Sequence, residues 1–128
     1  MYPGDFYYSK DHEWVKIEGD AAVIGLTDYA QKQLGDVVYV ELPAVGAELA
    51  VRQTVGVIES VKAVSDIYSP VSGKVIEVNS ALNDGPETLN QDPHGKGWII
   101  KLAIKDRSEL DNLLSASDYE KYVEGLGA

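Results

Sequence analysis

The strongest constraint on the fold is a series of short apolar runs, closely spaced and punctuated by glycine, proline, asparagine, aspartate and serine. Runs at 21–26, 37–40, 54–59, 64–68, 74–78 and 98–104 are rich in valine, isoleucine and tyrosine, the residues that suit a pleated, half-buried surface. Many short strands at such close spacing predict a mainly β architecture, a flattened barrel or sandwich. Alternation across 14–17 followed by Gly19-Asp20 predicts a hairpin with 21–26. One short helix is expected at 28–34: Thr27 or Asp28 can accept a bond from an orphan backbone N–H at its start. Gly35 fits the C-terminal cap.

The polar stretch 79–97 reads as a long ordered loop. From a cap-like Ser108 the texture turns helical, with Leu110, Leu113 and Leu114 at helical spacing, then Tyr119, Tyr122 and Val123 after a second cap at Ser117. The expectation is one domain over residues 1–128, with a β core about 14–104 and a helical segment about 108–124. A chain of 128 residues, 45% of them hydrophobic, can bury a core without disulfide or metal staples. Val45-Gly46-Ala47-Glu48 and Val71-Ser72-Gly73-Lys74 each place a glycine turn before a β segment, a weak hint of internal duplication.

Charge and cysteine content narrow the function classes. The net charge is −10, from 21 acidic and 11 basic residues, which argues against nucleic acid or anionic lipid as a partner. Basic patches on partner proteins suit it better. No cysteine is present, so disulfides, thiolate zinc sites and cysteine nucleophiles are excluded, and any redox chemistry must reside on something attached. The N-terminus shows no basic region followed by an apolar run, and no stretch approaches transmembrane length. A cytoplasmic location is expected.

Lys62 sits at the centre of the informative stretch, between two apolar strands. If the strands pair, its amine projects into water from a stiff base, which suits attachment of a mobile arm. Glu59 and Asp66 flank it. A Schiff-base lysine wants the reverse, a desolvated pocket or a cationic neighbour, so activation must come from a modifying enzyme. Read from composition alone, Lys62 is more simply one solvated lysine among many.

Spacing adds to this. Gly46 lies sixteen residues before Lys62 and Gly73 eleven after it, and the segment resembles the biotinyl/lipoyl-carrier superfamily. Biotin carriers flank their lysine with methionines; here Val61 and Ala63 stand in those places, which favours lipoate. More closely, Glu59-Ser60-Val61-Lys62-Ala63, Ser65-Asp66, Ser69-Pro70, Ser72-Gly73 and Glu77-Val78-Asn79 resemble the glycine cleavage H-protein family. The resemblance extends to His12-Glu13-Trp14-Val15, to 25–30, to Leu34-Gly35-Asp36 and to Gly97-Trp98. It further takes in Pro86, Leu89, Asn90 and Pro93, and so covers essentially the whole chain.

That resemblance implies a carrier and not an enzyme: lipoate joined covalently to Lys62, with Glu59, Ser60, Val61 and Ala63 around it. It implies a shuttle that takes an aminomethyl group from the glycine decarboxylase (P protein) to the aminomethyltransferase (T protein). Dihydrolipoamide dehydrogenase (L protein) then reoxidises the arm. A lipoate ligase or a lipoyl/octanoyl transferase would load it. It also implies a surface cleft into which the loaded arm folds, lined by Glu13 and Asp66, where a carboxylate holds the cationic amine. Asp11 is placed there too, although other members can carry an uncharged polar residue at this position.

The alternatives are a lipoyl domain of a 2-oxoacid dehydrogenase acyltransferase and an enzyme using His12, Glu13 and Asp66 directly. The first would lack the N- and C-terminal extensions, and the second has no convergent triad. His12 and His94 do not have the spacing of a metal site. Trp14 and Trp98 read as core. Gly95-Lys96-Gly97 precedes a strand and therefore lacks the helix N-terminus of a phosphate loop.

Overall fold

The computed structural model describes residues 2–126. Met1, Gly127 and Ala128, which the expected domain includes, lie outside the described residues. In chain order the strands are β1 (Tyr7–Tyr8), β2 (Glu13–Glu18), β3 (Ala21–Leu26), β4 (Val37–Glu41), β5 (Glu48–Leu49), β6 (Thr54–Ser60), β7 (Val64–Tyr68), β8 (Gly73–Val78) and β9 (Ile100–Ile104). They form two antiparallel sheets, one in the order β1-β2-β3-β9-β8-β5 and a smaller one in the order β4-β6-β7. No strand is shared between them, so the architecture is a sandwich; the barrel alternative is set aside.

The main core gathers Val15, Ile24 and Leu102 from the larger sheet and Val40, Ile58 and Ile67 from the smaller. Their neighbours Trp14 and Val23 point the other way, as the period-2 geometry of strands requires, into a second cluster with Phe6, Tyr8, Tyr119 and Val123. This second cluster is covered by the C-terminal helix (Ala116–Gly125), so β2 and β3 are buried on both faces. Double burial explains why apolar residues run together at 14–15 and 22–24.

The predicted hairpin forms, with Glu18 opposite Ala21 and Gly19 at φ +62 in its turn. Helix α1 (Asp28–Leu34) also forms as expected: the Thr27 side chain accepts the Ala30 N–H at 3.2 Å, and Gly35 caps the end at φ +82. A Lys32–Asp28 ion pair of 2.8 Å supports it one turn along. The two glycine-turn segments noted in the sequence meet each other, Glu48 opposite Lys74 and Leu49 opposite Gly73.

Three expectations are corrected. The polar stretch 79–97 contains two single-turn helices, α2 (Ala81–Asp84) and α3 (Thr88–Gln91), whose Leu82 and Leu89 are fully buried. Each offers one apolar anchor, too few for a periodic signal. The segment after 106 is a 3₁₀ turn (Arg107–Asn112) capped by Asp106, whose carboxylate accepts the Ser108 N–H at 3.0 Å; Ser108 is not the cap. The last helix, α4 (Ala116–Gly125), is capped by Ser115 and not Ser117, the Ser115 hydroxyl accepting the Asp118 N–H at 3.1 Å. Ser117 is itself the second residue of the helix, so the cap falls to Ser115, the residue just before it.

Candidate functional site

Strands β6 and β7 run antiparallel to the pair Glu59–Val64, and the Ser60 N–H donates to the Ala63 carbonyl at 2.8 Å. That leaves Val61 and Lys62 as a two-residue loop. Tight hairpin loops usually rely on glycine or asparagine at positive φ, but neither loop residue is there. The Ser60 hydroxyl braces the turn instead: it accepts the N–H groups of Ala63 at 3.1 Å and Lys62 at 3.3 Å. The Val61 N–H donates to the Asp36 carbonyl at 3.0 Å, tying the tip to the segment after α1. Lys62 therefore stands exposed on a braced turn, between Val61 and Val64, which are 70% and 68% exposed.

Beneath the tip lies Gly35. A Cβ there would come within 3.3 Å of Lys62 Cε, so the stem of the lysine rests over bare backbone. Asn90 holds that backbone in place: its amide donates to the Gly35 carbonyl at 2.8 Å and to Gln31 Oε1 at 2.9 Å, while its oxygen accepts the Val37 N–H at 2.8 Å. The sequence marks Asn90 only as one of the residues that carry the family resemblance; nothing local to the polar stretch indicates its bracing role.

Beside the tip is an open cleft of about 320 Å³. One wall is Ala63, Val64 and Asp66; facing them are Asp11, His12 and, from α1, Tyr29. Asp11 and Asp66 thus line the same cleft, next to the residues that flank Lys62. Glu13 is not on this wall. It is 2% exposed and borders a second, smaller cavity of about 190 Å³ with Ser9, Arg52 and, again, Asp11. Asp11 is the residue common to both spaces.

Burial pushes the Glu13 carboxyl up from its ordinary 4.5 to about 7; the Ser9 hydroxyl, donating at 2.5 Å, opposes this, and Asp11 reinforces it. Glu13 is consequently harder to ionise than an ordinary glutamate. His12 has φ +72, and its Nδ1 lies 2.8 Å from the Tyr119 hydroxyl, which lies 2.7 Å from Thr27 Oγ1. Helix α4 thereby reaches the wall of the open cleft, and burial holds the His12 imidazole below its usual range. Among the described residues no three His, Asp or Glu side chains converge as metal ligands. Among the same residues, no helix is long and apolar enough to cross a membrane.

The arrangement can present an amide-linked arm from Lys62 and receive its far end in a cleft with an apolar wall and carboxylates. Val61, Ala63, Glu59 and Ser60 occupy the strand ends and turn that a modifying enzyme would meet. With no cysteine in the chain, an attached dithiol has no protein thiol to form a mixed disulfide with.

Known proteins resemble this chain throughout its length. A family model described as "Glycine cleavage H-protein" matches residues 6–125. The glycine cleavage system H protein of Carboxydothermus hydrogenoformans is 54% identical over 125 residues, 98% of this chain and 96% of that protein. That of Thermoanaerobacter pseudethanolicus is 58% identical over 118 residues, 92% of this chain and 93% of its own. A crystal structure of a glycine cleavage system H protein from Mycobacterium marinum superimposes with a TM-score of 0.83 at 38% identity, covering 99% of this chain and all of the other.

Proposed function

Because this chain belongs to the glycine cleavage H-protein family, we propose that it is the lipoyl-bearing shuttle of that system, with lipoate joined through an amide to Lys62. The observation that carries this reading is the braced, glycine-free turn that holds Lys62 exposed at the mouth of a carboxylate-bearing cleft. When bound, the lipoyl group supplies a dithiol–disulfide pair that takes up the aminomethyl group of glycine and gives it up again.

The chain's own residues do the rest. Ser60 and the Val61–Asp36 bond fix the base of the arm, so that its far end sweeps a limited volume. Exposed Val61 and Val64 offer apolar contacts to whichever enzyme handles the arm, be it a lipoate ligase or a lipoyl/octanoyl transferase. Glu59 lies half-buried on β6, one strand position below the turn. Asp66 and Asp11 place negative charge where a primary ammonium would lie, and Val64 and Tyr29, on opposite walls of the cleft, keep water off the arm. Glu13, behind Asp11, adds charge that rises as pH passes neutrality. On this reading the partners are the P, T and L proteins, the setting is the cytoplasm, and the chain itself catalyses nothing.

Intact mass after coexpression with a lipoate ligase tests the attachment. The expected result is a single lipoyl increment on the native chain, mapped to Lys62, and none on Lys62→Arg with the fold unchanged. An increment on another lysine, or none, overturns it. Glycine–bicarbonate exchange with P protein then tests the shuttle: a lipoylated sample that supports no exchange, yet is acylated by a 2-oxoacid dehydrogenase, would move the chain to the other lipoyl class.

A further inference from the structure

Asp11 separates two spaces, the open cleft beside Lys62 and the smaller cavity in front of Glu13. The Arg52 guanidinium pairs with Asp11 from the side of the smaller cavity, across 41 positions of sequence. No other cation competes for it: Lys10, which borders the same cavity, is turned over the Tyr122 ring at 5.6 Å, and among the described ion pairs Arg52 is Asp11's partner. Asp11, half-buried, thus shares the smaller cavity with buried Glu13 and the Arg52 guanidinium, and the open cleft with exposed Asp66.

The backbone indicates that this placement is specific. Among the described residues only two that are not glycine have φ in the left-handed region, His12 at +72 and Arg52 at +71. They are the residue next to Asp11 and the residue paired with it. Left-handed conformations are strained for side chains of this size and persist where surrounding bonds over-determine them. Here the Arg52 N–H donates to the Ser69 carbonyl at 2.7 Å and the Gln53 N–H to Ala50 at 3.1 Å, while the His12 N–H donates to Ser9 at 3.1 Å. Two strained turns, on segments far apart in sequence, aim one guanidinium and one carboxylate at each other.

We propose that Arg52 is a built-in competitor, occupying on the unloaded protein the Asp11 carboxylate that receives the primary ammonium of a loaded arm. Loading exchanges one cation for another at Asp11, and Arg52 swings out to solvent. Arg52 is suited to leaving, because its side chain is 66% exposed and that of Asp11 27%. Exposed ion pairs are weak, so the competition shifts binding by about two- to five-fold, enough to keep the arm from being held too tightly without blocking it. The opposite design, a buried pair, would cost too much to break for an arm that must leave for its next partner. The proposal rests on the lipoyl-carrier reading for the incoming ammonium and for its seat at Asp11.

The test uses the full, isotopically labelled chain before lipoylation, titrated with methylammonium chloride against sodium chloride at constant ionic strength. The Asp11 carboxyl carbon signal is followed. The expected result is saturable binding that is about two- to five-fold tighter in Arg52→Gln than in the native chain. Arg52→Lys should restore native affinity, because charge and not shape is responsible, and Asp11→Asn should abolish saturation. Equal or weaker binding in Arg52→Gln, or the same shift with sodium alone, overturns the proposal. A second readout is the Arg52 Nε–H resonance in lipoylated protein, which should move when P protein and glycine load the arm. A resonance that stays put on a loaded arm refutes the exchange. If Lys62 takes up no lipoyl group, the carrier reading fails while the methylammonium titration still decides the role of Arg52.

Discussion

Replacing Glu13 by glutamine removes the one buried carboxyl of the site, and its effect on stability has a definite sign with pH. In the folded chain the Glu13 carboxyl titrates at about 7, against an ordinary value of 4.5, because burial disfavours the charged form. Below about pH 4.5 both folded and unfolded chains hold the proton, and the group contributes no pH dependence. Between the two values the unfolded chain releases the proton while the folded chain keeps it, so stability falls as pH rises. Above about pH 7 the loss is complete. A rise from 4.5 to about 7, at about 1.36 kcal/mol per pH unit, makes the loss about 3 kcal/mol. A glutamine side chain at this position cannot titrate and keeps an oxygen to accept from Ser9. The stability of Glu13→Gln relative to the native chain should therefore climb by about 3 kcal/mol between about pH 4.5 and about pH 8. Guanidinium unfolding followed by the fluorescence of buried Trp14, repeated across that window, measures it. Parallel stability curves, or a Glu13 carboxyl signal titrating near 4.5, would refute the reasoning. A cation delivered beside Glu13 relieves the same penalty, so an ammonium in the smaller cavity should bind more tightly as pH passes about 7.

Two further changes probe the platform under Lys62. Gly56→Ala drives a Cβ into the Glu41 carbonyl oxygen, a backbone atom that cannot rotate away, and should cost about 3 kcal/mol in urea unfolding by prising β4 from β6. A loss below about 1 kcal/mol would mean the strands part more easily than their register suggests. Asn90→Ala strips partners from the Gly35 carbonyl and the Val37 N–H and should cost about 2 kcal/mol. It should also speed hydrogen exchange at Val37 and Val61, whereas unchanged exchange at Val61 would separate the Asn90 buttress from the tip.

Much of the fold is legible because its signals are local. Alternation and turn residues mark the hairpin of β2 and β3, and the cap chemistry of Thr27 and Gly35 bounds α1. Lys62 is legible too, since two apolar runs either side of a short polar centre make a hairpin tip whatever the rest does. The single-turn helices at 81–91 are not, because one buried leucine apiece gives no period to read. The caps of the C-terminal segments, Asp106 and Ser115, each lie two residues before the serine that the pattern suggests. Several serines and aspartates there can each cap, and only packing of Leu110 and Tyr119 fixes which ones do.

The sequence by itself determined the mainly β class, the place of Lys62 at a hairpin tip and the presence of carboxylates near it. Tertiary structure decided how those carboxylates are shared out. Asp11 and Glu13 are two apart, and in a continuous strand they would face the same way. His12 at φ +72 breaks that alternation, so Asp11 opens onto the cleft of Lys62 while Glu13 turns inward to Ser9. The contacts that fix this geometry join distant segments, Arg52 to Asp11 across 41 positions and Tyr119 to His12 across 107. No local pattern announces them, because backbone propensity extends over a few residues. Which side chain meets which across the chain is settled by the packing of whole sheets and helices.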